Sequence, residues 1–362
     1  MIKKFDEVFV DKTRLGKKIP KEEYKKKGKY IIIDQGKDKI AGFTDNEDGI
    51  FTDVPTIIFG DHTRIIKYID KPFFLGADGV KVLKSKTNNA NYKYLYYALK
   101  AAYIPNTGYN RHFKWLKKVS INYPSFEKQK RIVKLLDNLS EVKNKKNEEL
   151  KLCDTLIKAR FVEMFGDLKF DTPVSKYIES LTAGKSLAGK EKCTNKVLNT
   201  GAVSYDKFKN DYKYLPSNYV PDENNKVRTG NVLISRMNTQ ELVGATAYVW
   251  EAPENTYLPD RLWRANLKEN VNSIFLWQVL IHPLLKLQIQ RVSSGTSGSM
   301  KNISKSNFLK LKVPDVNEES QNKFASFVQQ VDKSKVVNAS IMKYIISIRF
   351  YLYFKENKEG AR

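Results

Sequence analysis

PSFEKQKRIVKLLDNLSEVKNKKNEELKLCDTLIKARFVEMF, residues Pro124 to Phe165, decides how the rest of this chain is organised. Apolar side chains fall at Ile132, Leu135, Leu136, Leu139 and Val142 and resume at Leu150, Cys153, Leu156, Ile157, Phe161, Met164 and Phe165. Three-and-four spacing of this kind is the stripe of a helix. From Glu127 there is no Gly or Pro until Gly166. A helix of about 38 residues would span about 57 Å at about 1.5 Å per residue. That is longer than an ordinary globular helix and points to a coiled-coil seam or a helical spacer. The stripe fails at Lys143-Asn144-Lys145-Lys146-Asn147, so the alternative is two shorter helices.

Composition sets the surroundings. The chain has 362 residues, enough for two or three domains. Lys plus Arg number 64 against 40 acidic residues, a net charge of +24. An excess of that size costs self-repulsion unless a polyanion offsets it, and nucleic acid is the first candidate. No run of 18 apolar residues exists to cross a bilayer. The lysines of Met1-Ile-Lys-Lys are followed by no long apolar region, so a signal peptide is not expected. Cys153 and Cys193 offer neither a disulfide framework nor a zinc site and fit a reducing cytoplasm.

Residues 1–123 read as strands and loops with one helix. Tyr30–Ile33 and Thr56–Phe59 have strand length and composition, Tyr92–Ala102 is a helix candidate, and Val119, Ile121 and Tyr123 alternate as a half-buried strand entering Pro124. Residues 167–313 repeat the recipe: strands at Asn231–Ser235 and Ala247–Trp250, a helix at Ser273–Ile281, and an alternating strand at Leu309, Leu311 and Val313 before Pro314. A second helical stretch follows, from about Glu318 to Phe354, striped by Phe324, Phe327, Val328, Val331, Ile341, Ile345 and Ile348 and polar at Asp332–Lys335.

The similarity is an internal duplication. Gly108 and Pro124 stand at the same spacing as Gly298 and Pro314, offset by 190. Pro124-x2-Glu127-x-Gln129 corresponds to Pro314-x4-Glu319-x-Gln321, and after that insertion Ile132, Leu135, Leu136 and Leu139 fall on Phe324, Phe327, Val328 and Val331. Upstream, Tyr94-Leu-Tyr-x-x-Leu99 matches Phe275-Leu-Trp-x-x-Leu280, and Tyr68–Pro72 matches Val249–Pro253, both at offset 181. Four matches in order give globule, long helix, globule, long helix. The two helices are expected to pack antiparallel, with the globules at opposite ends about a pseudo-two-fold axis. Ile132, Leu135, Leu139, Leu156, Phe161, Phe324, Val328, Val331, Ile341 and Ile345 are the expected packing residues.

No catalytic constellation emerges. There is no (N/D)PP(Y/F) box, and Gly184-Lys185-Ser186 lacks the upstream glycine of a phosphate loop, since position 179 is Glu. Asp11 with Glu23-Tyr24-Lys25 imitates a metal-nuclease pattern, but chance supplies such matches in a segment rich in Lys and Glu. His62, His112 and His282 have no partner at metal-ligand spacing, and His282 before Pro283 reads as a helix cap. What recurs is basic and polar residues in loops: Arg14, Lys17 and Lys18; Gln35 and Lys37; Tyr109, Asn110, Arg111 and His112; Lys185, Ser186 and Lys190; Arg236, Met237 and Asn238; Ser297, Ser299, Lys301 and Asn302. Lys and Arg neutralise phosphates, while Arg, Asn and Gln in a groove can read base edges. Thr107-Gly-Tyr-Asn-Arg-His112 and Thr296-Ser-Gly-Ser-Met-Lys301 occupy equivalent places yet differ, as tips that read two sequences would.

Ile121-Asn-Tyr-Pro-Ser-Phe-Glu-Lys-Gln-Lys-Arg-Ile132 with its helix, Leu311-Lys-Val-Pro314 to Gln321 with its helix, and Phe161–Gly166 resemble the specificity (S) subunit of Type I restriction–modification systems. The resemblance spans essentially the whole chain. It implies an α+β fold with target-recognition domains at 1–123 and 167–313, separated by long helices at 124–166 and 314–362 packed as an antiparallel coiled coil. It implies a non-catalytic reader of double-stranded DNA, each domain binding half of a bipartite target. The helices would set the gap and dock two methyltransferase subunits, which would carry S-adenosylmethionine; motor–nuclease subunits would join the full complex. No cofactor is expected on this chain. One departure is that Pro314–Gln321 is longer than its first copy. The competing readings are a stand-alone coiled-coil DNA- or RNA-binding regulator and a fragment of a Type II-like restriction enzyme.

Overall fold

The computed structural model describes residues 1–76, 78–295, 300–335 and 341. Ser297, Ser299 and Ile345 lie outside the described residues. Met1–Glu148 belongs to one compact unit and Glu149–Asn338 forms a second.

In the first unit a four-stranded antiparallel sheet has the order Phe9–Asp11, Val80–Ser85, Thr56–Gly60, Ile66–Ile69. A three-stranded sheet runs Gly42–Thr44, Tyr30–Ile33, Phe73–Leu75, its last pair parallel. Ile2–Lys4 pairs antiparallel with Ser120–Asn122. Thr56–Gly60 is buried at every position, which is why it reads as an unbroken apolar run rather than an alternation. Helix Tyr92–Ala101 is capped by Asn91, whose side chain accepts the Tyr94 N–H, and packs Tyr94, Leu95, Ala98 and Leu99 against Ile57, Phe59 and Leu83.

The second unit repeats these three sheets and adds two short ribbons, Val203–Ser204 with Lys207–Phe208 and Met237–Asn238 with Lys301–Asn302, and a helix, Pro283–Val292. Its four-stranded sheet is Ile178–Thr182, Leu262–Leu267, Val232–Ser235, Thr246–Tyr248. Its three-stranded sheet is Tyr212–Tyr214, Lys196–Leu198, Thr256–Tyr257, again with a parallel last pair. Phe170–Pro173 pairs with Lys312–Pro314. Helix Ser273–Leu280 is capped by Asn272. One strand differs from expectation: Leu309 ends a short helix, Lys305–Leu309, so the strand begins only at Lys312. Ser304 caps that helix by accepting the Asn307 N–H at 3.1 Å, and Phe308 is its buried anchor.

The central helix is continuous from Phe126 to Phe165. Its polar waist is helical because Lys, Glu and Asn hold no breaker among them, and Glu141 and Lys145 pair one turn apart at 2.8 Å. Ile132 packs against the first unit's core. Two expected packing positions are one residue off. Leu135 and Leu156 are 39% and 50% exposed, while their neighbours Leu136 and Ile157 are 4% exposed. One residue is about 100° of turn, so the seam passes beside the expected leucines. Leu139 is half-buried and Ile341 is 38% exposed.

Within the second unit the end of this helix packs antiparallel on the helix at 318–335. Phe324 is fully buried, edge-on to Phe161 at 5.6 Å and to Phe165 at 5.5 Å, while Asp154 pairs with Lys335 at 2.5 Å. Ile157, Val328 and Val331 fill the same core. The motif glutamines fasten each long helix at its start. Gln129 Nε2 donates to Pro124 O and Gln321 Nε2 to Val316 O, each at 2.9 Å. Gln321 Oε1 also accepts the Asn272 N–H at 3.1 Å, tying the helix to Ser273–Leu280. The partner of Pro124 in the second copy is therefore Val316, not Pro314. No helix among the described residues is long and apolar enough to cross a membrane.

Candidate nucleic-acid interface

In the first unit the turn between Thr56–Gly60 and Ile66–Ile69 carries Asp61, His62, Thr63 and Arg64, the last at φ 62°. Gln35 is the hub beside it. Its Nε2 donates to Asp78 O at 3.0 Å, its Oε1 accepts the His62 N–H at 3.1 Å, and its carbonyl accepts the Thr63 hydroxyl at 2.7 Å. Gly79, at φ 91°, permits that approach, because a Cβ there would stand 2.7 Å from Gln35 Nε2. Tyr109, 90% exposed, stacks on His62 with ring centres 5.1 Å apart and planes 13° off parallel. Lys18 pairs with Asp78 at 2.5 Å. Its hydrogen bond and charge, with Arg111 adding to the field, hold the Asp78 carboxyl below its ordinary range. Lys18, Gln35, Tyr109 and Arg111 thus converge on one surface, while Asn110 ties the tip by donating to Thr107 O.

His112 corrects the expectation. It is fully buried; its backbone N–H and Nδ1 both meet Asp61 O, at 2.8 and 3.0 Å, and its Nε2 lies 3.3 Å from the Thr107 N. It holds the loop from inside and is not part of the exposed surface. Lys17 pairs instead with Asp48 at 2.9 Å, and Arg14 is exposed on the turn Thr13–Leu15. Lys37 lines a separate cavity with Arg64 and Lys67.

The second unit builds the equivalent place differently. Met237–Asn238 pairs antiparallel with Lys301–Asn302, Met237 opposite Asn302 and Asn238 opposite Lys301. Arg236 lies over the Trp263 ring at 5.8 Å, and its N–H donates to Arg261 O at 3.1 Å. Ser186 is hydrogen-bonded to Asp260, one residue before Arg261, with Lys185 and Lys190 exposed beside it. Arg236 Nε, Trp263 Nε1 and Asn302 Oδ1 are buried without a hydrogen-bond partner. The underlying contact is shared. His112 N donates to Asp61 O in one copy and Ile303 N to Arg236 O in the other, at 2.8 and 3.1 Å, and both residues are buried. His62, Asp78 and Arg64 were missed from sequence. The signal that could have found His62 and Arg64 is their place in the turn directly after the apolar run Thr56–Phe59. No group of His, Cys, Asp or Glu among the described residues could hold a metal ion.

The sequence family described as Type I restriction modification DNA specificity domain matches residues 1–152 and 181–343, most of the chain. No curated protein matches it significantly. The crystal structure of a Type-I restriction-modification system S subunit from M. genitalium is similar in fold, at TM-score 0.62 and 17% identity over 97% of this chain and 94% of that one. A chain from a structural study of complex assembly and conformational transition of the type I R-M system has TM-score 0.52 and 15% identity over 98% of this chain and 96% of that one.

Proposed function

Because this chain belongs to the family of Type I restriction–modification DNA specificity domains, we propose that each of its repeats reads one half of a split duplex target. Its role is DNA recognition, in assembly with DNA and other subunits of such a system. The carrying observation is the pair of tips: one hydrogen-bond scaffold, anchored at His112 and at Ile303, presents Lys18, Gln35, Tyr109 and Arg111 in one copy and Arg236, Met237, Asn238, Lys301 and Asn302 in the other. Side chains of these types read base edges and phosphates, and different sets on one scaffold select different sequences. Lys185, Ser186 and Lys190 flank the second tip, and Arg14, Lys17 and Lys37 the first, as backbone contacts.

The repeats at 1–123 and 167–313 are joined by the helices beginning at 124 and 314, which we assign as the ruler between half-targets. Exposed apolar residues on the central helix, Leu135 and Val142 in one segment and Leu152 and Leu156 in the other, support docking of partner subunits there. We assign that dock to two methyltransferase subunits, which would bring S-adenosylmethionine and the transfer chemistry, with motor–nuclease subunits joining in the full complex. The assembly would work on cytoplasmic DNA. Methylome sequencing of the host tests this: a split N6-methyladenine motif should vanish when this gene is deleted. An unchanged methylome, or methyl transfer to DNA by the purified chain alone, would falsify the assignment.

A further inference from the structure

Beside the first tip, and sharing the Thr63–Arg64 turn with it, the first unit holds an open groove of about 680 Å³. Strand Ile66–Ile69, helix Tyr92–Ala101 and the start of the central helix enclose it. Six cations line it, Lys37, Lys39, Arg64, Lys67, Lys93 and Lys100, against one carboxylate, Asp137. That carboxylate is already taken, by Lys93 at 2.7 Å and by the Tyr97 hydroxyl at 2.6 Å. Lys67 is met by Asp34 at 3.3 Å. Lys37, Lys39, Arg64 and Lys100 have no carboxylate partner among the described residues. Concentrating unpaired cations in one concavity is costly unless an anion enters. The groove borders the tip, since Thr63 and Arg64 on its wall belong to the same turn as His62 and Thr63 donates to Gln35 O at 2.7 Å. An anion lying in the groove would therefore lie beside the reading surface.

The second copy lacks this device. Aligned on the turn hydrogen bonds, Arg64 N–H to Gly60 O and Gly244 N–H to Ser235 O, and on the helix caps Asn91 and Asn272, the positions of Arg64, Lys67, Lys93 and Lys100 hold Gly244, Ala247, Ile274 and Ile281. Tyr248 and Trp277 there correspond to Tyr68 and Tyr96 of the groove, and with Trp250 they pack ring to ring, with centres 4.6 to 6.1 Å apart. Aromatic rings stand at this place in both copies, and only the first copy surrounds them with cations.

We propose that the groove holds the phosphate backbone of duplex DNA, and that the first repeat alone carries this clamp, so that the two half-targets are gripped by different forces. The proposal rests on the DNA-recognition reading and adds where the electrostatic part of the affinity resides. Adjacency to the tip through the shared turn favours DNA over an acidic protein segment as the occupant.

The test is the salt dependence of binding of the full chain to a labelled duplex of random sequence. Each neutralised phosphate contributes about −0.9 to the slope of log affinity against log salt. The triple variant K37Q/K39Q/K100Q, changing exposed side chains only, should flatten the slope by about 2.7, so that from about 50 to 200 mM salt the wild type loses about 40-fold more affinity than the variant. K21Q/K26Q/K27Q, an equal loss of charge on exposed lysines outside the groove, should leave most of the slope intact. An unchanged slope in the groove variant, or equal flattening in the control, overturns the clamp. Loss of poly-glutamate binding with an unchanged DNA slope overturns it in favour of a protein occupant. No duplex binding by the wild type overturns the DNA reading with it, whereas split methylation that persists beside an unchanged slope overturns the clamp alone.

Discussion

The two motif glutamines make the sharpest comparison, because duplication supplies the control. Gln321 satisfies both ends of its amide: Nε2 donates to Val316 O at 2.9 Å and Oε1 accepts the Asn272 N–H at 3.1 Å. Gln129 satisfies one: Nε2 donates to Pro124 O at 2.9 Å, and its Oε1 is buried without a partner. Replacing either by Met keeps most of the volume. Gln321→Met orphans a buried carbonyl and a helix-cap amide, about 1–2 kcal/mol each and about 2–4 kcal/mol in all. Gln129→Met orphans one carbonyl but removes an acceptor that is already desolvated and unpaired, so the two effects offset and about 1 kcal/mol or less remains. With a urea slope of about 2 kcal/mol/M, the second-unit midpoint should fall by about 1–2 M in Gln321→Met and the first-unit midpoint by under about 0.5 M in Gln129→Met. Hydrogen exchange adds a local readout: the Asn272 amide should lose protection in Gln321→Met only. Equal midpoint losses in the two variants, or an Asn272 amide unchanged by Gln321→Met, would refute the reasoning.

Other consequences can be checked separately. Burial and the Asp137 hydrogen bond push the Tyr97 hydroxyl from 10.0 to about 12, so the unfolded chain releases this proton first. The stabilisation is whole below pH 10 and drains between pH 10 and about 12, by about 2–3 kcal/mol, and Tyr97→Phe should flatten that part of the stability–pH curve. Burial lowers the His282 imidazole from 6.5, and its Nδ1 accepts the Leu284 N–H at 3.3 Å as a helix cap. Stability should therefore fall as pH drops through 6.5, and His282→Asn, which keeps a capping oxygen, should blunt that acid loss in urea melts at different pH values. Leu136→Ala should cost about 2–5 kcal/mol in the same melts and Leu135→Lys under about 0.5, reversing the order read from the stripe. Deleting residues 143–146 shortens the central helix by about 6 Å, so the gap in the methylated motif should shrink by about two base pairs; an unchanged gap would remove the helix's role as ruler.

How much of this was legible depended on whether the signal was local. The central helix was readable because forty residues without Gly or Pro leave the backbone little alternative, even across an apolar gap. The duplication was readable because buried aromatic and aliphatic positions keep their spacing, as Tyr94 and Leu99 do against Phe275 and Leu280. The seam of the helix was misplaced at Leu135 and Leu156 because adjacent leucine and isoleucine look alike to a periodicity count. Only tertiary packing says which of the two turns inward. His112 was misjudged for a related reason: a polar residue in a basic loop looks like a reader, and nothing local reveals that Asp61, fifty-one residues earlier, supplies its hydrogen bonds.

The alignment of the two helix starts makes the same point most clearly. Proline invites matching with proline, so Pro124 was set against Pro314 and a two-residue insertion was placed after it. The hydrogen bonds use a different ruler. Each glutamine Nε2 reaches a carbonyl five residues back, Pro124 in one copy and Val316 in the other. A carbonyl is common to every residue type, so the side chain at that position is free to change while the lock is kept. The insertion therefore precedes Val316, at the exit of the strand ending at Pro314, where an extended segment absorbs two residues without disturbing the helix. Measured from the glutamines, Phe324 and Val328 then correspond to Ile132 and Leu136 without adjustment, and three of these four are buried. The repeat is thus in register through the described start of each long helix, and it differs at the strand exits, the tips, the groove and the added helix Pro283–Val292. Those are the places where the two copies would have to diverge to hold two different halves of one target.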